Sequence, residues 1–537
     1  MDTQTMTPDN MPREDSDSLP HLSPVQLAVL LGSILIVALC GIVYELIIGT
    51  VSSYLMGNSV VQFSLTIGFF MFAMGIGSYI SRFVKSNLIE MFVNVEIILA
   101  IIGGLCSVTL FMVFPFEPAF YTTVMFGFIM AIGFLVGIEI PLLMRVLSER
   151  HGTRRSIADV LSLDYVGALI GSVAFPLLLL PSLGLITSSF AIGLINISVA
   201  LLNTLWLREH MQNARRSLIL ALIALVSLIA LTLSAGRITA FAQDHLYFDK
   251  IVWQKQSPYQ SIIVTNAWPH NDVRLFIDGH LQFSASDEHR YHEALVHPVM
   301  TAGTAPERIL ILGGGDGMAA REVLKYDGIL SIDLVDLDPE MTWVGTQFNP
   351  VVQMNDNALN SELLTIHNAD AFNFLQESQD VWDRIIIDFP DPHNEAISKL
   401  YSQEFYALVL THLTKDGAIV SQSSSPFFAR RTYWTIGETM ESMFPEVVSY
   451  NAHIPSFGAW GFHLGLRGAA PDLSRAPSGR AYMSEDVFRA ATIFPCDISK
   501  PTGLRVNSIF DPTLYEAYNQ DLKSSPQKTL NKCRSES

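Results

Sequence analysis

Five aspartates, Asp316, Asp336, Asp370, Asp388 and Asp391, follow short apolar runs, and their type and placement could do chemistry. In an open α/β sheet the carboxyl ends of the strands converge on one crevice, so strand-ending carboxylates face a common ligand. Asp316 sits inside a glycine turn, Gly313, Gly314, Gly315 and Gly317, after the apolar run Ile309 to Leu312. Consecutive glycines let the backbone turn where no Cβ fits, so a ligand can approach the main chain. Asp336 lies about 20 residues on, the spacing of a carboxylate that accepts hydrogen bonds from ribose hydroxyls. Asp316 would repel phosphate, so the loop fits a nucleoside without phosphates, or a cation. Singly, each aspartate reads as a helix cap or turn residue; their succession at strand ends is what makes a site.

The elements that must position them are alternating strands and helices. After the glycine turn come a helix-like segment, the strand ending at Val335-Asp336, strands at Leu364–His367 and Arg384–Asp388, a helix around 401–413 and a strand at Ala418–Val420. That alternation predicts a parallel sheet with helices on both faces over residues 301–470. Upstream, Ser261–Val264, Val273–Ile277 and Leu281–Phe283, with the turn Asp278-Gly279, form a small β unit over 237–300. Residues 471–537 lack strong periodicity and read as a partly ordered tail.

The first half is different in kind. Half of the 537 residues are hydrophobic and the mean hydropathy is +0.33, high for a soluble protein. Repeated apolar stretches between residues 25 and 236 read as about seven transmembrane helices. Small-residue spacings at Gly75/Gly77 and Gly167/Gly171 would allow close helix contact. Glu45, Glu139 and Asp164 lie within or beside apolar runs, either lining a polar cavity or buried as hydrogen-bonded carboxyls that fix packing. Residues 1–24 read as a disordered tail. The balance of 33 basic against 51 acidic residues, net −18, argues against nucleic acid as a partner and suits cationic small molecules. Four scattered cysteines show neither metal-ligand spacing nor a disulfide framework, and no metal site is expected.

In the catalytic half the sequence resembles the spermidine synthases, the polyamine aminopropyltransferases. The resemblance rests on Tyr259-Gln260, Asp278-Gly279 through Asp287-Glu288 to Tyr291-His292-Glu293, the Gly313–Gly317 loop, Asp336-Leu337-Asp338, Asn368 to Phe372, and Asp388-Phe389-Pro390-Asp391-Pro392, in the family's order over about 245–467. The apolar half is similar to that of membrane-anchored bacterial members. The resemblance implies a multi-pass α-helical membrane domain followed by a Rossmann-like domain of the S-adenosylmethionine-dependent transferase type. It implies transfer of an aminopropyl group from decarboxylated S-adenosylmethionine, a co-substrate and not a cofactor, to putrescine or a similar diamine. Asp388 would be the base; His292, Tyr291, Asp316 and Asp391 would hold the amine; Gln260, Asp336, Asp370, Ala371, Gly313 and Gly315 would hold the donor. A homo-oligomer built through the β unit is also implied. The residues agree with this: the donor is cationic and carries no phosphate, and two aspartates three apart can divide the work of holding one ammonium and deprotonating the other.

The chain departs from the family at Phe389-Pro390 between the two aspartates, at Ile454–Phe457 where a tyrosine often stands, and at Ala371 where glycine is common. These leave the acceptor amine open. A methyltransferase, or a transporter or sensor with a polyamine-binding domain, are the alternatives; the Asp388/Asp391 pair and Asp316 weigh against the first, and Asp388 against the second. Basic loops at Arg82/Lys85, Arg145–Arg155 and Arg208–Arg216, with an odd helix count, place the catalytic half outside by the positive-inside rule. A donor nucleoside made in the cytoplasm places it inside. The chemistry is given precedence, so the expectation is a multi-pass inner-membrane protein with a cytoplasmic catalytic domain.

Overall fold

The computed structural model describes residues 22–523 apart from 57–58, 117, 152, 240 and 242–248. Most of the expected N-terminal tail and the last fourteen residues therefore lie outside the described residues. The chain divides into two compact units, 1–245 and 246–537.

The first unit is helical: α1 (Pro24–Met56), α2 (Ser59–Ser81), α3 (Leu88–Val113), α4 (Pro118–His151), α5 (Thr153–Ala174), α6 (Leu180–Trp206) and α7 (Ala214–Leu233). Among the described residues six segments are long and apolar enough to cross a membrane, and the longest runs 50 residues from Ile157 to Trp206. At 1.5 Å per residue that length is about 75 Å, roughly twice what a bilayer needs. It is not one rod, because a wide turn at Phe175–Leu179 is followed by Gly184 at φ 71°, ψ 179°. Counting its two arms separately is what distinguishes seven helices from six segments. Gly77 faces the backbone of Phe134 on α4, and Gly167 and Gly171 face Leu35 and Leu39 on α1, so at these places the helices touch backbone to backbone. Gly75 faces open space.

The second unit begins with a four-stranded antiparallel sheet, β1 (Lys250–Gln256), β2 (Ser261–Ala267), β3 (Asp272–Ile277) and β4 (His280–Ser284), in sequential order. The main sheet has seven strands: β5 (Arg308–Gly313), β6 (Ser331–Asp336), β7 (Leu364–Asn368), β8 (Trp382–Asp388), β9 (Leu413–Gln422), β10 (Glu446–Ile454) and β11 (Gly458–Leu466). Their order is β10-β11-β9-β8-β5-β6-β7. The strands β5 to β9 pair in parallel, and β11 runs antiparallel to both β9 and β10. Chain order reverses between β5 and β8, so the crevice expected at a topological switch opens there. Register pairs Gly313 with Asp388 across that switch. The β10–β11 hairpin and β1 are absent from the sequence reading.

Two expected boundaries move. Helix α8 (Glu288–Met300) falls inside the expected β unit, yet its Tyr291, Leu295 and Val299 are buried with Ile311, Val420 and Phe462 of the main sheet. Residues after 470 are built into the same unit: Leu473, Met483 and Phe488 enter its core, as does Leu514 of the last described helix, Thr513–Lys523. Long-range polar contacts fix this segment, for the Glu293 carboxylate accepts from the backbone N–H of Ala481, Tyr482 and Met483, each at 2.8 Å. Asp521 accepts from Thr432 N and Oγ1, both at 2.9 Å. Such contacts leave no periodic trace in a sequence. Cys496 is disulfide-bonded, a pairing that a spacing argument has no means to find.

Candidate active site

At the switch, strand ends and loops enclose a cavity of about 550 Å³. Gln260, Tyr291, His292, Gly313, Gly315, Asp316, Asp336, Asp370, Ala371, Asp388 and Asp391 all line it.

On one side the glycine turn meets Asp336. Gly313 has φ +88°, and a Cβ there would overlap the carbonyl oxygen of Asp388, so the tight approach of β5 to β8 requires glycine. The Gly315 N–H donates to Asp336 Oδ2 at 3.0 Å, and a Cβ on Gly315 would lie 2.5 Å from that same oxygen. Asp336 Oδ1 accepts from Asp338 N at 2.9 Å. Burial still pushes the Asp336 carboxyl up to about 6. Asp370 caps the helix Ala371–Glu377 by accepting from Asn373 N at 3.0 Å, and its other oxygen is 3.4 Å from Lys399 Nζ. This aspartate therefore has the structural role of a cap while also facing the cavity.

On the other side, helix α8 presents two adjacent residues. The Tyr291 hydroxyl donates to Asp388 Oδ1 at 2.5 Å. His292 uses Nδ1 against Glu288, 2.9 Å from its carbonyl and 2.7 Å from its carboxylate, and Glu288 is forked by Arg321 at 2.9 and 3.0 Å. Burial alone would depress the imidazole, but the hydrogen bond and charge of Glu288 outweigh it and hold the ring above its usual range. Burial would likewise raise Glu288, but His292 and Arg321 hold it at about 2. Asp316 accepts from Met318 N at 2.9 Å, and burial raises its carboxyl.

Burial pushes Asp388 and Asp391 up to about 6 each. Asp391 Oδ2 accepts from Ser424 Oγ and from Tyr518 Oη, both at 3.2 Å, while its Oδ1 is buried without a partner among the described residues. The Phe389-Pro390 dipeptide between them is pinned through its carbonyls. Tyr401 Oη donates to both, at 3.2 and 3.0 Å, and Gln422 Nε2 also donates to Phe389 O. Trp460 Nε1 in turn donates to Gln422 Oε1 at 3.2 Å, so an indole lines the wall near the segment that lacks a tyrosine. His280 and His393 stack at the cavity with ring centroids 5.2 Å apart, and burial depresses both.

Sequence reasoning missed Gln422, Ser424, Tyr518, Trp460 and the His280/His393 pair. A polar Ser421 to Ser425 run at the end of β9 was a usable signal for the first two; the others are brought in from distant segments. Six carboxylates, counting Asp278, and three histidines line the cavity, with no lysine or arginine among the described lining residues. A half-buried wall of carboxylates with no fixed cation among its described residues suits a cationic ligand that donates hydrogen bonds.

The model of the "Spermine/spermidine synthase domain" family matches residues 288–474. Among curated proteins, the polyamine aminopropyltransferase of Leptospira interrogans serogroup Icterohaemorrhagiae serovar copenhageni is 38% identical over 490 residues, 91% of this chain and 97% of that one. That of Oceanobacillus iheyensis is 40% identical over 494 residues, 90% of this chain and 95% of that one. Among solved structures, the spermidine synthase from Thermotoga maritima is 23% identical, covers 46% of this chain and 85% of that one, and has a TM-score of 0.41. The likeness to the two curated relatives runs nearly end to end, so it takes in the helical unit as well as the catalytic one, and the chain belongs to the polyamine aminopropyltransferase family of transferases.

Proposed function

We propose that this enzyme moves an aminopropyl group from decarboxylated S-adenosylmethionine to putrescine, giving spermidine and methylthioadenosine. The cavity wall of half-buried carboxylates, without lysine or arginine among its described residues, carries this reading. Both substrates are cations without phosphate.

The donor's ribose hydroxyls donate to Asp336, which the Gly315 N–H and the Asp338 N–H hold in place, and its adenine lies toward Asp370 and Ala371. Asp391, with one oxygen unpartnered, takes the far ammonium of the diamine. The near amine faces Asp388. Asp388, whose raised carboxyl lies nearer neutrality than a free aspartate, takes one proton from the near ammonium. The freed nitrogen lone pair attacks the propyl carbon bonded to sulfur; a C–N bond forms, the C–S bond breaks, its electron pair stays on sulfur as the neutral thioether, and the product leaves as a secondary ammonium. Tyr291 orients the Asp388 carboxyl, and Asp316 and His292 complete the amine side. The step balances without redox or Lewis-acid chemistry, so no cofactor enters it.

The six long apolar segments are read as bilayer spans, with the catalytic unit on the cytoplasmic side where its donor is made. A reporter fused after residue 537 tests the side; activity of an externally active reporter overturns it. The reaction is tested by incubating the full-length enzyme with donor and a panel of diamines. Methylthioadenosine should form one-for-one with spermidine and only when putrescine is present. Donor-dependent methylation, or binding without turnover, would sink the reading.

A further inference from the structure

The helical unit contains a polar cluster that the transfer reaction does not use. Glu96 of α3 is 0% exposed and Glu139 of α4 is 2% exposed, and the two carboxyls act on each other electrostatically. No donor from the described residues reaches Glu96 Oε1, Glu96 Oε2 or Glu139 Oε1. Two ionised carboxylates have only acceptors, so they can bond to each other only through a proton. Two further wholly buried groups stand by with unpartnered atoms: Tyr44 Oη from α1 and Asn196 Oδ1 from α6. Tyr44 lies close enough to feel both glutamates, and its ring fills the space opposite Gly103 on α3. Asn196 is tied to the same turn by donating through Nδ2 to the carbonyl of Glu96 at 3.1 Å.

We propose that Glu96 and Glu139 form a proton-binding site within the helical unit, sharing one proton that exchanges with solvent. The occupant is a proton and not a metal cation, because among the described residues no third His, Cys, Asp or Glu joins the pair to complete a metal's ligand set. The titratable groups acting on the pair are Cys40 and Tyr44 of α1 and the half-buried Asp164 of α5. Helices α2 and α6 bring no carboxyl or base, and the Arg215 and Arg216 of α7 lie in its first turn. Arg145 of α4 donates to the carbonyls of Ser81 and Val84, and among the described residues no cation pairs with either glutamate, which is why the pair must hold a proton. Asp164, half-buried on α5, is the carboxyl that acts on Glu139 from outside the pair. Nothing in the aminopropyl transfer requires this site, so it is an added property of the chain.

The test uses the full-length enzyme in lipid vesicles. Dicyclohexylcarbodiimide, an apolar reagent for protonated carboxyls, should label Glu96 or Glu139 at neutral pH, and the labelling should fall as pH rises. In infrared spectra a protonated-carboxyl band should be lost in E96Q and in E139Q; each glutamine can still donate to the remaining glutamate, so the fold is retained. Should a variant fail to fold, the labelling and pH response of the unaltered enzyme decide the matter. Absence of labelling, or a band unchanged by pH, would overturn an exchanging proton in favour of a fixed packing contact. Protection from labelling by sodium, absent with choline, would overturn it in favour of a metal cation.

Discussion

The hydroxyl of Tyr518 stands 3.2 Å from Oδ2 of Asp391, so a residue from the last described helix reaches a carboxylate at the end of β8. Ser424 Oγ donates to the same oxygen, also at 3.2 Å. The Asp391 end of the cavity is thus completed by chain lying beyond the matched family domain, which ends at residue 474.

Tyr518→Phe should therefore weaken diamine binding selectively. A hydrogen bond to a charged group contributes about 1.5–3 kcal/mol, so KM for putrescine should rise on the order of 10-fold or more. The Tyr518 hydroxyl also lowers the Asp391 carboxyl, so the acid limb of kcat/KM should move to higher pH in the variant. Methylthioadenosine affinity should not change. An equal loss of both affinities would mean the tyrosine merely supports the fold.

Asp388→Asn should lower kcat by roughly 10²–10⁴-fold, the range for losing a positioned base. Donor affinity, measured by equilibrium binding of methylthioadenosine, should drop only modestly. Near-normal turnover would show that the proton leaves by another route. Tyr291→Phe should lie between this variant and the parent, since it removes the group that orients the base and not the base itself.

Asp388 and Asp391 both sit at about 6, above the unfolded value of 3.8. The ligand-free native state then binds more protons than the unfolded chain between about pH 4 and 6, so its stability should fall as pH rises through that window. Diammonium binding needs the ionised carboxylates, so affinity should move the opposite way, increasing as pH passes about 6. Thermal melts with and without putrescine from about pH 4 to 8 should show the gap widening with pH. A constant gap would mean that neither carboxylate titrates in contact with the amine.

Gly315→Ala should damage donor binding and spare the diamine. Its added Cβ would sit 2.5 Å from Asp336 Oδ2 and 3.1 Å from Met341 Cγ, displacing the carboxylate assigned to the ribose. A fall in nucleoside affinity of about 10-fold or more is expected, for lost hydrogen bonds to a charged group. Unchanged affinity would place the ribose elsewhere.

What could be read from the sequence follows how local each signal is. Gly313 to Gly317, Asp336 and the Asp388/Asp391 pair each stand at the end of their own strand, so neighbours in the chain announce them. The stacked His280 and His393 come from segments more than a hundred residues apart, and nothing near either one hints at the other. Tyr518 belongs to a stretch of short helices held by side-chain contacts to Thr432 and Glu404, which weak periodicity made look like a tail. Glu96 was hidden differently: a carboxyl well inside a 26-residue apolar helix gains meaning only beside Glu139.

The register that pairs Gly313 with Asp388 has a mechanical corollary. Neighbouring strands lie about 4.8 Å apart, a spacing enforced by a ladder of main-chain hydrogen bonds. On the proposed reaction the donor loop leaves one strand and the base leaves the next, so that ladder would act as a gauge block for the reacting atoms. Nucleophile and electrophile would then be set at attack distance by the stiffest part of the protein.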